Sequence, residues 1–343
     1  MGTARELPGV GGDDGRLRSG ILQATDGAQP AVKILVTGAS GFVGRHLTDH
    51  LRSHGDQVVA AYFPAGLEPD ETIEHRELLD IRDAQAVERL LAAYDVEAVI
   101  HLAAQAFVPE GEANPAETMA INIGGTANLL RALTLHRPQA RLLLVSSAEV
   151  YGSAPPEKMP FTEDSLPQPA NFYAQSKLLT EQLTLFQARL HGLDVIIARP
   201  FTHIGPGQSP RFSVSGFARQ LAEIKAGKQR PVLQVGNLSA RRDITDVRDV
   251  VTAYRLALQS ASTGSIFNIC TGKAFIIEDL VKMLIDIAAM EISIEVDPAR
   301  LRPIDLPVLY GSADKLLRET GWRPQRSIEE TLRDIYRYWE AKS

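Results

Sequence analysis

TGASGFVG, residues 37–44, decides the fold. Residues 33–36 (KILV) ahead of it read as a short buried strand, and residues 42–51 after it carry apolar side chains at helical spacing. A strand that turns through glycines into a helix opens a βαβ unit. Gly38 permits the tight turn, Gly41 lets a diphosphate approach the backbone, and Gly44 lets the helix lie close on the strand. The first amides of that helix, around Ser40, Phe42 and Val43, then face the phosphates. The spacing is GxxGxxG, one residue longer between the first two glycines than the usual dinucleotide fingerprint, so the remainder of the chain has to support it.

It does so by alternation. Further strands are predicted at 57–62, 76–79, 98–102, 141–146 and 194–198, with long helices at 115–136 and 172–191. This is the pattern of an α/β doubly wound parallel sheet, the Rossmann arrangement. Residues 1–31, rich in Gly, Asp and Ala, read as a mobile extension, and 32–200 as the dinucleotide-binding domain. After Arg199-Pro200, glycine and proline gather in HIGPGQSPRF. Residues 201–343 therefore read as a smaller α+β substrate lobe, with parts of 240–270 returning to the first domain.

Composition narrows the class. At 343 residues, 44% hydrophobic and 23% charged, the chain can bury a full core. Its 36 basic and 42 acidic residues leave a net charge of -6 without a Lys/Arg track, which argues against nucleic acid. No apolar run reaches the length of a membrane span. Cys270 is the one cysteine and the eight histidines lack ligand-like spacing, so neither a disulfide framework nor a metal site is expected.

The chemistry lies in YAQSK (173–177) and in SSAEVYG before it. Tyr173 and Lys177 share one helix face. A phenol titrates near 10, and bringing it to neutrality takes roughly 4 kcal/mol, which the neighbouring ammonium is expected to supply. Ser147, at the carboxyl end of a strand, can hydrogen-bond both a substrate oxygen and the tyrosine.

TGASGFVG, LLDIRD around Asp80, HLAA (101–104), NIGGT (122–126), SSAEVYG and YAQSK occur in an order that resembles the extended short-chain dehydrogenase/reductase family. More narrowly, VPE (108–110), ARPFTHIGPGQSPRF, VGNLSARRDITDVRDV, LRPIDLP and TGWRP are similar to its GDP-4-keto-6-deoxymannose reductases. The resemblance implies Ser147, Tyr173 and Lys177 as the catalytic set. Gly38, Ser40, Gly41, Phe42, Val43 and Gly44 would receive the cofactor, with Asp80 and Ile81 flanking its adenine. Leu102, Ala103 and Ala104 would line it, and Asn122 would brace the active-site end of the sheet. Arg242 and Arg302 would clamp the substrate diphosphate. Gln105, Thr202, Asp305 and the Gly236-Asn237-Leu238 segment would serve the same substrate.

Two departures bear on the reaction. Thr202 stands where related reductases carry asparagine, and Ala148-Glu149 stand where dehydratases place an acid and a base. Glu149 fits the base, but Ala148 has no proton for a leaving hydroxyl. Glu149 then either orients the sugar or satisfies buried hydrogen bonds, and both readings stand. The resemblance thus implies reduction of the 4-keto group of GDP-4-dehydro-6-deoxy-D-mannose to GDP-D-rhamnose. A dehydratase or 4-epimerase with tightly bound NAD(P) is the alternative, and a non-catalytic dinucleotide-binding regulator the remote one. The cofactor is NADP(H) or NAD(H). The second strand ends in Ala61, Tyr62 and Phe63 with no acid for a free ribose 2′-hydroxyl, which tilts the choice to NADP(H), with Arg45 placed to meet the 2′-phosphate. A cytoplasmic homodimer, paired through the two long helices, completes the expectation.

Overall fold

The computed structural model describes residues 31–63, 69–301 and 306–343. The extension expected up to residue 31 falls, except for that residue, outside the described residues, as do Arg302 and Asp305. Seven parallel strands form the main sheet in the order Ile266–Ile269, Val195–Pro200, Arg141–Val145, Ala98–His101, Lys33–Thr37, Gln57–Tyr62, His75–Leu78. From Lys33–Thr37 the chain winds outward to His75–Leu78, then returns to the other side at Ala98–His101. That reversal opens a crevice at the carboxyl ends of the two central strands, where open parallel sheets take their ligands.

Both faces of the sheet are covered, which is why its strands are near-continuous apolar runs. On one face Leu47, Leu51, Val250 and Tyr254, from the helices Phe42–Ser53 and Val247–Ser260, pack over Ile34, Val36 and Ile100. On the other, Val87, Leu91, Leu129 and Leu133 cover Leu35, Val59 and Val99. The strand predicted at 76–79 runs instead over His75–Leu78, and its alternating half-buried and exposed side chains are those of an edge strand.

The helix predicted over 172–191 is present as Phe172–His191, capped by Asn171, whose side chain accepts from the Ala174 amide, and ended by Gly192 at φ +69°. The helix predicted over 115–136 is not uniform. Pro115–Met119 and Gly125–His136 are α-helical, and between them Ala120–Gly124 is a π turn carrying Asn122. Such turns insert a residue into an α-helix, and they gather at functional sites.

Beyond Pro200 the architecture changes. Thr202–Ile204, Ala274–Ile276 and Val308–Leu309 pair around Arg241–Asp246, and Val232–Val235 pairs with Ser293–Val296. The helices Ser213–Lys225, Ile277–Ala288 and Ile328–Glu340 bury their apolar faces together around Leu221, Leu284 and Ile335.

Candidate active site

A cleft of about 1210 Å³ runs along the carboxyl ends of the central strands, from the glycine turn past Ser147 and Tyr173 to Asn237 and Arg242. At one end Gly38 adopts φ +72°, and a Cβ there would lie 2.9 Å from the Ala103 amide nitrogen. A Cβ on Gly44 would lie 2.3 Å from the Gly38 carbonyl oxygen, so the helix can approach the turn this closely only without a side chain. Gly41 caps that helix with no side-chain hydrogen bond to its first amides. Those donors, with the helix dipole behind them, suit the diphosphate of a dinucleotide, so the residues present fit such a cofactor.

The strand ends beside the turn are tied together. The Thr37 hydroxyl accepts from the Ala103 amide (3.2 Å) and bonds His101 Nδ1 (2.7 Å), while His101 Nε2 meets the Thr126 hydroxyl (3.1 Å). Because that hydroxyl donates to the Asn122 carbonyl (2.6 Å), His101 carries its proton on Nε2. Burial holds its pKa down to about 3, so it stays neutral.

Asn122 is buried behind the cleft and holds its wall. Its side-chain oxygen accepts from the Gln105 amide (2.8 Å), and its nitrogen donates to the Ser176 hydroxyl (2.8 Å) and the Gln105 carbonyl (3.1 Å). The Gln105 side chain, expected at the substrate, turns back on its own loop, accepting from the Phe107 amide and donating to the Phe107 carbonyl (3.1 Å).

Ser147, Glu149, Tyr173 and Lys177 are brought together along the cleft. The Ser147 hydroxyl bonds the Tyr173 phenol and accepts from the Glu149 amide (3.2 Å). One expectation is corrected here: the phenol is pushed up to about 12, not down. Burial is the main cause and the nearby Glu149 carboxylate adds to it, against the Ser147 hydrogen bond. Lys177 is pulled down to about 8 by burial, with Glu181 partly offsetting it. Both groups lose more from desolvation than their neighbours return. A phenol in this state is fully protonated near neutrality, the form in which a proton donor must begin.

Around this centre the structure sorts the remaining residues. Phe42, Val43, Leu102 and Ala104 line the cleft, as do Thr202 and Gly236 on its far side. Ser40 is half-buried in the turn itself. Arg45, expected at a 2′-phosphate, instead donates to the Gly207 carbonyl (3.3 Å). Asp80 is held bidentately by Arg82 (3.0 and 2.7 Å), whose hydrogen bonds keep its pKa low. Ile81 is buried against Gly125, where a Cβ would lie 2.5 Å from its Cγ2.

Asn171 and Arg211 are among the cleft residues that the sequence reading did not single out. Asn171 caps the Tyr173 helix and donates to the Glu149 carboxylate (3.2 Å), so it orients that acid; an Asn directly before a helix is the signal that was available. Arg211 lies over the Phe107 ring, 4.0 Å from its centre, and its only signal was a cation within the Gly/Pro-rich run.

The family model described as GDP-mannose 4,6 dehydratase matches residues 35–335. A GDP-6-deoxy-D-mannose reductase of Pseudomonas aeruginosa is 40% identical over 310 residues, 90% of this chain and 98% of that protein. A GDP-6-deoxy-D-talose 4-dehydrogenase of Aggregatibacter actinomycetemcomitans is 30% identical over 308 residues, 89% and 97% of the two chains. Among solved structures, RMD from Pseudomonas aeruginosa complexed with NADPH superposes with a TM-score of 0.82 at 36% identity, covering 91% of this chain and 99% of that one.

Proposed function

Because this chain belongs to the GDP-mannose 4,6 dehydratase family, within the extended short-chain dehydrogenases/reductases, we propose that it reduces the 4-keto group of GDP-4-dehydro-6-deoxy-D-mannose with NADPH, giving GDP-D-rhamnose. The observation that carries this reading is the cleft itself, in which a protonated Tyr173, paired with Ser147, faces the same space as the glycine turn and Ala148. Ala148 is buried with only a methyl group where an elimination needs an acid. Reduction needs no such acid.

A nicotinamide held in the cleft would supply the hydride for the 4-keto carbon. Amides of the glycine-turn helix hold the cofactor diphosphate, while Ser147 steadies the keto oxygen and Tyr173 gives it a proton. Lys177 then stabilises the phenolate left behind. We read residues 201–343 as the substrate lobe, with Asn237, Arg242 and Arg302 holding the nucleotide sugar. NADPH over NADH is supported by the bound cofactor of the Pseudomonas aeruginosa relative and by the absence of an acid at Ala61 to Phe63. With the keto sugar supplied, one equivalent of NADPH should be consumed per sugar and the product should be GDP-D-rhamnose. A changed sugar without net NADPH oxidation contradicts the proposal.

The activity should depend on pH through Lys177. Its pKa is depressed, so the ammonium is present below about 8 and lost above. The value of kcat/KM, which reports the free enzyme, should therefore fall about tenfold per pH unit beyond that point. A profile flat to about pH 10, where an ordinary lysine titrates, would remove Lys177 from this role.

We further propose a cytoplasmic homodimer. Leu135, Phe172, Phe186 and Leu190 leave large apolar surface exposed on the helices Gly125–His136 and Phe172–His191, which a second copy would cover. Phe186→Asp together with Leu190→Asp should halve the mass seen by sedimentation. An unchanged mass, or a wild-type monomer, contradicts the pairing. Among the described residues no helix is long and apolar enough to cross a membrane.

A further inference from the structure

Among the described residues, seven buried side-chain polar atoms lack a hydrogen-bond partner, and three belong to residues lining the cleft: Ser146 Oγ, Gln208 Oε1 and Tyr254 Oη. Tyr254 is the most conspicuous. It lies on the helix Val247–Ser260, is wholly buried, and belongs to the apolar layer against which Val43, Leu102 and Val145 pack. Those three side chains also line the cleft, where the carboxyl ends of the central strands meet it. The Tyr254 phenol is pushed up by burial and also by Tyr173, which places the two phenols in the same neighbourhood.

A buried phenol with no partner is costly, and a phenylalanine would fill the same space without that cost. The position therefore carries an oxygen that the fold alone does not use. We propose that the Tyr254 hydroxyl is a contact for the bound dinucleotide, donating a hydrogen bond to its nicotinamide half. The inference rests on the reading of the cleft as a dinucleotide site. The nicotinamide half is chosen because Tyr254 lies towards Tyr173, whereas Asp80 and Ile81, expected at the adenine, lie towards the Gln57–Tyr62 side of the sheet.

Tyr254→Phe tests this by calorimetric titration of two ligands, NADPH and 2′,5′-ADP, which carries only the adenosine half. The variant should bind NADPH about three- to tenfold more weakly, bind 2′,5′-ADP as the wild type does, and melt in the ligand-free state at the same temperature or higher. NADPH affinity equal to wild type overturns the inference, as does an equal loss for both ligands or a lower ligand-free melting temperature. Should the wild-type protein bind neither ligand, the reading of the cleft falls and the inference with it. If the variant does not fold, a wild-type crystal with NADPH decides. A nicotinamide-half polar atom within about 3.3 Å of Tyr254 Oη supports the contact, and none within that distance overturns it.

Discussion

Tyr173→Phe should lower kcat for the keto sugar by about 10²–10⁴-fold, the usual worth of a positioned proton donor. The substitution removes one oxygen and keeps the ring, so the packing of the Phe172–His191 helix and the wall of the cleft are retained. Loss should therefore appear in kcat and leave NADPH affinity within about threefold. Ser147 loses its phenol partner but keeps the Glu149 amide, so its hydroxyl remains in place. The burial that pushes Tyr173 up to about 12 sharpens this expectation. At neutral pH the wild-type residue is a loaded acid. Turnover within about twofold of wild type, measured by stopped-flow under single-turnover conditions, would exclude the residue as the donor.

The second large effect concerns the fold beneath the site. Glu181 and Arg199 form a bidentate pair, at 2.9 and 2.6 Å, with side chains 2% and 4% exposed. Arg199 also donates to the Tyr151 hydroxyl (3.0 Å), which in turn donates to Asn268 (2.7 Å). The pair thus links the catalytic helix, the strand Val195–Pro200 and the returning strand Ile266–Ile269. Glu181→Leu would leave the guanidinium buried without its counter-charge, and should cost about 3–5 kcal/mol. The double change Glu181→Leu with Arg199→Met should recover a large part of that loss, since no charge is then stranded. Because Glu181 also supports the charge on Lys177, the single variant should shift the alkaline fall in activity to lower pH. Urea denaturation reads the first effect. A loss below about 1 kcal/mol would mean that water reaches the guanidinium and the pair is not a fixed part of the site.

Much of the architecture was legible because it depends on local periodicity. The strands at 33–36 and 57–62 and the helix at 172–191 follow from apolar spacing, and the turn at 37–44 from glycines that admit no Cβ. What periodicity could not express is a single inserted residue, so the π turn at Ala120–Gly124 read as plain helix. Nor does spacing carry the direction of a side chain: Gln105 and Arg45 have the right chemistry for ligands, yet bond to their own or a neighbouring loop. The phenol's pKa failed for a third reason. An i, i+4 ammonium was visible in the sequence, but the burial that outweighs it arises only when segments distant in sequence, such as the helical turn at Gly111, pack beside the Tyr173 helix. Arg302 and Asp305 lie outside the described residues; of the others expected at the substrate, Thr202, Asn237 and Arg242 line the cleft.

In the proposed reduction, hydride from NADPH would pass directly to the sugar's carbonyl carbon while Tyr173 protonates its oxygen. Incubating the keto sugar with NADPH deuterated at the transferred position tests it most directly. One deuterium is expected at carbon 4 of each product sugar, and none after Tyr173→Phe on the same timescale. A product unlabelled at carbon 4, or label appearing at carbon 6, would contradict it and favour a recycling dehydratase.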